Sequence, residues 1–152
     1  MLASRRRSLG TPVALTADVV RPAMEVQVLA KSVLIVDDER LIARTLSSAL
    51  AEAGFETRIA SSAEAAEKLI AATESEFDLI LIDNRLPKGS GLGLVKKLRA
   101  GGIQAQVILM TAFDSPETKA EARRLGVQRY ITKPFDLGTM IAEVEALVGP
   151  GR

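Results

Sequence analysis

Hydrophobic positions fall in short unbroken runs separated by longer amphipathic stretches. The run Ser32-Val33-Leu34-Ile35-Val36 ends in Asp37-Asp38-Glu39, and Asp78-Leu79-Ile80-Leu81-Ile82 ends in Asp83. Continuous apolar runs of this length read as strands buried on both faces of a parallel sheet, whereas half-exposed strands alternate. Phe55–Ala60, Gln106–Met110 and Val127–Ile131 are three further strand candidates. Helical spacing fills the intervals. Leu41, Ile42, Leu46, Ala49 and Leu50 share one face of a helix over about 39–53, which Gly54 ends. A second helix follows Ser61-Ser62-Ala63-Glu64, an N-cap with a nearby acid, and runs to about Ala72. The loop Pro87-Lys88-Gly89-Ser90-Gly91 leads into a third helix through Leu92, Leu94, Val95 and Leu98, stopped by Gly101-Gly102. Ser115-Pro116-Glu117 supplies a cap, a proline at the first helical position and an acid in the first turn of a fourth helix, which runs to Leu125 before Gly126. The fifth spans about Leu137–Val148, and Gly149-Pro150-Gly151 closes it.

This alternation predicts an α/β fold, a doubly wound five-stranded parallel sheet with five helices covering both faces. Right-handed crossovers leave few topologies. The strand order 2-1-3-4-5 puts strands one and three side by side at a switch point, where open α/β sheets bind ligands. In that order Asp37, Asp38 and Asp83 converge at the carboxyl edge of the sheet. Thr111-Ala112 after strand four and Lys133-Pro134 after strand five emerge at the same edge.

Composition narrows the chemistry. The 152-residue chain holds neither cysteine nor histidine. Disulfides, thiolate metal sites, Ser-His-Asp triads and histidine-ligated zinc are therefore excluded. The lack of cysteine fits a reducing compartment, and the expected location is cytoplasmic. No apolar run is long enough to span a bilayer. Residues 1–31 carry five basic and two acidic residues, a net +3, whereas the rest carries 15 basic and 17 acidic, a net −2. An acidic body argues against nucleic acid or membrane as a direct partner. Arg5-Arg6-Arg7 has the composition of a nucleic-acid or membrane-surface arm; the plainer reading is part of a flexible basic tail. The expected organisation is a tail over 1–31, one domain over 32–148 and a short tail over 149–152. Met24 opens the segment leading into the first strand, so residues 1–23 are expected to be dispensable or to lie upstream of the true start. Nothing beyond Gly149–Arg152 follows the fifth helix, which leads to the expectation of a stand-alone domain acting through protein contacts.

Clustered carboxylates raise one another's pKa unless a cation sits among them. A shallow site with few carboxylates suits Mg2+, which keeps several waters and is completed by a phosphate. Lys133 adds a point charge and Thr111 a hydroxyl. A carboxylate nucleophile, a cation, a lysine and a hydroxyl are the parts needed to form and hold an aspartyl phosphate. Each residue also has an ordinary structural reading: Asp38 as a cap, Asp83 as turn chemistry before Pro87, Thr111 as a capping hydroxyl, Lys133 as a solvated surface residue. Five such groups at four strand ends of one edge argue against coincidence.

The chain resembles the response-regulator receiver domains of two-component signalling. The resemblance rests on Val33–Glu39, on Asp78–Asp83 with Leu86-Pro87 and Gly91, on Val107–Ala112 and on Tyr130–Phe135, and it covers about 32–148. It implies a flavodoxin-like receiver fold with Asp83 as phosphoacceptor. Asp38, Asp83 and the backbone carbonyl of Arg85 would ligate Mg2+ directly, and Asp37 through water. Thr111 would contact the phosphoryl group and Lys133 would pair with it. Ala112 belongs to the same phosphoryl-contacting stretch. The Lys133–Pro134 bond would be cis. Tyr130 would be a switch aromatic following Thr111, although an ordinary half-buried sheet tyrosine reads the same in sequence. Arg85 and Phe113 depart from the commonest pattern and are expected to set the phosphoryl lifetime. The implied partners are a sensor histidine kinase or a histidine phosphotransfer protein, and a downstream protein target, with the chain a monomer or a phosphorylation-dependent dimer. Three functions follow: a binding switch using the surface of helix four, strand five and helix five; a phosphorelay shuttle handing its phosphoryl group to a histidine phosphotransferase docked near helix one; or a flavodoxin-like redox or nucleotide-binding protein. The last is disfavoured because the first loop is acidic rather than glycine-rich.

Overall fold

The computed structural model describes residues 29–72 and 77–152. Most of the N-terminal tail, including Arg5–Arg7 and the segment 1–23, lies outside the described residues. The elements are β1 Ser32–Val36, α1 Arg40–Glu52, β2 Glu56–Ala60, α2 Ala63–Ala72, β3 Leu79–Asp83, β4 Arg85–Leu86, β5 Gly89–Ser90, α3 Gly91–Ala100, β6 Gln106–Thr111, α4 Pro116–Arg124, β7 Arg129–Thr132 and α5 Leu137–Val148. Five parallel strands form one sheet in the order β2-β1-β3-β6-β7. Since β6 and β7 are the fourth and fifth strands of that sheet, this is the expected 2-1-3-4-5 order. The short antiparallel pair β4–β5 occupies what was expected to be a plain loop.

Alternation along each central strand divides the core in two. Leu34, Val36, Ile80, Ile82, Val107 and Leu109 point to the face covered by α2, α3 and α4. Val33, Ile35, Leu79, Leu81, Ile108 and Met110 point to the face covered by α1 and α5. All five residues of β3 are buried, as a central strand requires. The edge strands differ from the expectation of full cover. Arg58 and Ile59 of β2 and Arg129 and Thr132 of β7 are exposed, because an edge strand has a neighbour on one side only.

Helix starts follow side-chain chemistry. Ser62, Ser90, Ser115 and Asp136 each accept a backbone N–H from the first turn of α2, α3, α4 and α5, at 2.9–3.1 Å. In α1 the buried stripe is Ala43, Leu46 and Leu50. Leu41 was expected on that stripe, but it is 78% exposed. It lies half a turn round from Leu50, so the 3.6-residue period directs it to solvent.

The described flanks are tied down. Lys31 donates its N–H to Gly151 O at 2.9 Å and accepts from Glu56 N–H at 2.9 Å. Gly151 is buried against the turn after α1, where a Cβ would lie 2.5 Å from the Gly54 carbonyl carbon. Gly91 is also required by space. A Cβ there would meet Asp83 O at 2.7 Å, Ile82 Cγ2 at 2.8 Å and Asn84 Cα at 2.9 Å. Gly91→Ala is expected to cost about 1–3 kcal/mol, the usual range for overpacking a filled site. Urea unfolding would read this as a lower midpoint at unchanged slope.

Candidate functional site

Register brings the functional groups together. Val36 pairs with Ile82, so Asp37 and Asp83 leave adjacent strands at one level. Asp83 pairs with Met110, which places Thr111 beside it, and Thr111 pairs with Thr132, which places Lys133 next. Asp37, Asp83 and Thr111 are the buried polar residues among those described. Asp38 is exposed but lines the same cleft, of about 650 Å³, together with Arg85, Ala112 and Lys133.

Lys133 is the hub. Its Nζ lies 3.2 Å from Asp37 Oδ2, 3.1 Å from Glu39 Oε1 and 3.5 Å from Asp83 Oδ1. The Lys133–Pro134 peptide is cis, as the resemblance implied. One ammonium among three carboxylates leaves a negative excess. Burial, together with the charge of Asp37, raises the pKa of Asp83; Lys133 and the Arg85 backbone N–H oppose that rise without cancelling it. Burial pulls Lys133 down, but the Glu39 hydrogen bond and the charges of Asp37 and Asp83 outweigh it, so its pKa ends raised. Oxygen atoms of Asp37, Glu39 and Asp83 lie within 4.8 Å of one another, near enough to share a metal ion. An all-oxygen, under-compensated donor set suits a hard divalent cation.

Two residues differ from the sequence reading. Glu39 lies close to Asp37 and Asp83, whereas Asp38 lines the cleft outside that carboxylate group. The signal for Glu39 was present, as the third acid in Asp37-Asp38-Glu39, but it read as the start of a helix. Asn84 was also missed. Its N–H donates to Met110 O at 2.8 Å, its Oδ1 accepts from Leu92 N–H at 3.1 Å and its carbonyl accepts from Gly91 N–H at 2.8 Å, which anchors the turn after Asp83 to α3. Asx-turn chemistry at a strand end is the sequence cue for such a residue.

Of three further predicted residues, Thr111 and Phe113 line the cleft, and Tyr130 bonds to Ser115, which lines it too. Thr111 Oγ1 donates to Phe113 O at 3.1 Å and accepts from Phe113 N–H at 3.0 Å, so the hydroxyl is engaged by its own loop. The Phe113 ring is 65% exposed and carries the Arg85 guanidinium 4.7 Å from its centroid. This cation–π pair joins β4 to the loop that follows β6. Tyr130 is half-buried and its hydroxyl accepts the Ser115 N–H at 3.4 Å. Burial raises its pKa, with Asp114 adding to the rise and the Ser115 N–H opposing it. Lys119 Nζ lies 5.6 Å from the Tyr130 ring centroid.

A doubly wound sheet with an acidic, lysine-containing cleft at its switch point has the groups to hold a divalent cation. Residues 33–145 match the response regulator receiver domain, and the chain belongs to that family, which serves two-component systems. The chain is 43% identical over 105 residues to Regulatory protein AtoC of Escherichia coli (strain K12), covering 69% of this chain and 22% of AtoC. It is 39% identical over 114 residues to the transcriptional regulatory protein YkoG of Bacillus subtilis (strain 168), covering 75% of this chain and 49% of YkoG. The chain thus spans half or less of the length of these curated relatives. Among solved structures, the receiver domain of the Francisella response regulator 1452 matches with a TM-score of 0.72 and 35% identity, over 78% of this chain and 96% of that one. A CheY-like receiver domain protein from Methanospirillum hungatei JF-1 matches with a TM-score of 0.70 and 28% identity, over 77% and 92%. The acidic cluster fits phosphorylation and Mg2+ binding. No helix among the described residues is long and apolar enough to cross a membrane.

Proposed function

We propose that Asp83 accepts a phosphoryl group from a sensor histidine kinase or histidine phosphotransfer protein, and that this switches the surface of α4, β7 and α5 for binding a downstream protein. The observation that carries this reading is the contact of Lys133 with buried Asp83 and Asp37 at the mouth of the cleft. An Asp83 carboxylate oxygen attacks the phosphorus, the bond from phosphorus to the donor nitrogen breaks, and the donor ring, protonated on its other nitrogen, leaves as neutral imidazole. Histidine is absent from this chain, so the partner supplies it. Asp37, Asp38 and Asp83, with the Arg85 carbonyl and now Glu39 as a further donor, would hold Mg2+, which supplies charge neutralisation for the transferred group. Lys133 then shifts its hydrogen bond to the phosphoryl oxygens. Thr111 leaves Phe113 to contact the same group, and Tyr130 follows. The cytoplasmic setting belongs to the same proposal.

Intact mass after incubation with acetyl phosphate and Mg2+ tests it. One phosphoryl group is expected on the wild type with Mg2+ and none without; no uptake by a folded, Mg2+-binding protein would overturn self-catalysed transfer from a small donor.

A second reading, the phosphorelay shuttle, draws support from a groove of about 540 Å³ lined by Leu41, Ile42, Pro134, Phe135 and Leu137. It opens beside Lys133, where a helix presenting a histidine could dock. Transfer of label from the phosphorylated protein to a histidine phosphotransfer protein would favour this reading. Phosphorylation-dependent capture of a partner without such a histidine would favour the switch.

The Arg85–Phe113 pair screens one side of the cleft. Phe113→Ala and Arg85→Ala are expected to shorten the phosphoryl lifetime by admitting water, by up to about tenfold, which corresponds to about 1.4 kcal/mol in barrier height. Loss of the phosphorylated mass with time would report it, and unchanged decay in both variants would exclude the role.

A further inference from the structure

Arg99, near the end of α3, donates four hydrogen bonds and all of them go to backbone carbonyls. Nε reaches Leu125 O at 3.0 Å, one terminal nitrogen reaches Ile103 O and Ala105 O at 2.9 Å each, and the other reaches Gly126 O at 3.2 Å. No carboxylate pairs with it among the described residues. Leu125 is the C-cap of α4 and Gly126 follows it. The carbonyls at a helix end lack intrahelical partners and carry the negative end of the helix dipole, so a guanidinium there satisfies both needs. The same cation binds the loop between α3 and β6 through Ile103 and Ala105.

The other end of α4 is held much more lightly. Ala122 is the buried residue of the helix, and it lies in the C-terminal half. At the N-terminal end the links among the described residues beyond the Ser115 cap are a 3.4 Å Ser115–Tyr130 hydrogen bond, a side-chain hydrogen bond between Tyr130 and Asp114, a 3.8 Å Lys119–Asp114 ion pair and Lys119 over the Tyr130 ring. The ion pair is about half exposed on both sides, and exposed pairs contribute little. Ser115 and Thr118 at this end line the cleft.

We propose that Arg99 is the fulcrum of α4: it fixes the C-terminal turn to α3 and to the loop before β6, so that the helix loosens and moves from its cleft-side end. This deepens the phosphorylation-switch reading and rests on it for the source of the motion, but the asymmetry itself is a property of the ligand-free protein. Arg99 thereby directs changes at the Thr111–Phe113 loop into the first turns of α4 rather than into its whole length.

Residue-resolved hydrogen exchange of the full chain without additions decides it. In the wild type, the amides of Leu125, Gly126 and Val127, bonded to Glu121, Arg123 and Ala122 carbonyls, are expected to exchange at least ~10-fold more slowly than that of Lys119, bonded to Ser115. Arg99→Ala should remove that difference, and Arg99→Lys, which keeps the charge but not the fork, should reduce it. The amides of Ile80–Ile82 and Ile108–Met110 should stay as in the wild type, which separates a local effect from general destabilisation. The lysine variant carries the test if the alanine variant does not fold. Unchanged protection at Leu125–Val127 in the variants, or wild-type Lys119 exchanging no faster than that turn, would overturn the proposal. Within the segment 111–127, adding beryllium fluoride with Mg2+ should confine new changes to 111–119 in the wild type and extend them to 122–127 in Arg99→Lys. Absence of any change near Thr111 in either protein would count against Asp83 as acceptor, while the ligand-free comparison would still decide the role of Arg99.

Discussion

Asp83→Asn should abolish phosphoryl uptake from acetyl phosphate and at the same time stabilise the metal-free protein. The first effect follows from chemistry, since an amide oxygen is a poor nucleophile and cannot bear the phosphoryl group as a carboxylate does. The second follows from electrostatics. Asp83 sits 5% exposed beside buried Asp37, and burial with that neighbouring charge raises its pKa from 3.8. A carboxylate whose pKa is raised on folding binds more protons in the folded state than in the unfolded one, so stability falls as pH rises. The penalty is absent below about pH 3.8, where both states are protonated, and complete once pH exceeds the elevated folded value. The variant should therefore match the wild type near pH 3 and exceed it at pH 7.5 by about 0.5–2 kcal/mol, the range common when a strained functional group is relaxed. Mg2+ should reverse the order, because a ligand at a hundred times its Kd stabilises the state that binds it by about 2.7 kcal/mol. Urea unfolding at both pH values, with and without Mg2+, measures all of this. A variant less stable than the wild type at pH 7.5 without Mg2+ would contradict the account.

Lys133→Met should be the most damaging single change at the site when Mg2+ is absent. The ammonium is 11% exposed and touches Asp37, Glu39 and Asp83 at once. Removing it strands two buried carboxylates beside each other, and breaking a buried pair in this way costs about 3–5 kcal/mol. The raised pKa of Lys133 gives the sign of its pH dependence. The stabilisation it supplies is present through the neutral range and is lost only as pH climbs past 10.5 towards the folded value. Two rescues follow. Mg2+ should recover part of the loss by replacing the missing charge, and Asp83→Asn in the same chain should recover part by removing one of the stranded acids. The double variant should then be more stable than the sum of single effects predicts, because the two residues are in contact. Strict additivity at neutral pH would show that the ion pair does not couple them. Glu39→Gln should cost far less, since the Glu39 carboxylate is 59% exposed and solvent screens it.

Much of the molecule is legible in the order of its residues. The bounds of β1 and α5 match the sequence reading, and the serine caps of α2 and α4 are where the pattern placed them. These features depend on local chemistry: apolar runs, caps, and glycine at helix ends such as Gly54, whose φ is +98°. Elements whose limits depend on neighbours shifted. The last strand begins at Arg129 rather than Val127, because Val127 N–H completes the end of α4 on Ala122 O and Gln128 N–H bonds to Val107 O. Leu41 misleads because hydrophobicity alone carries no angle, and β4–β5 escapes detection because two-residue strands leave no period to detect.

By itself the sequence determined the class of fold, the edge at which the carboxylates gather and the absence of histidine and cysteine from these 152 residues. Those follow from residue type and spacing, which are properties of the chain; Asp83 as the expected acceptor came from the resemblance to receiver domains. Only the tertiary structure decided that Glu39 shares Lys133 with Asp37 and Asp83, that Arg85 lies over Phe113, and that Arg99 joins α3 to the end of α4. Such contacts join residues 26 to 96 positions apart. They depend on strand register and helix rotation to within an ångström, and no local pattern carries that information.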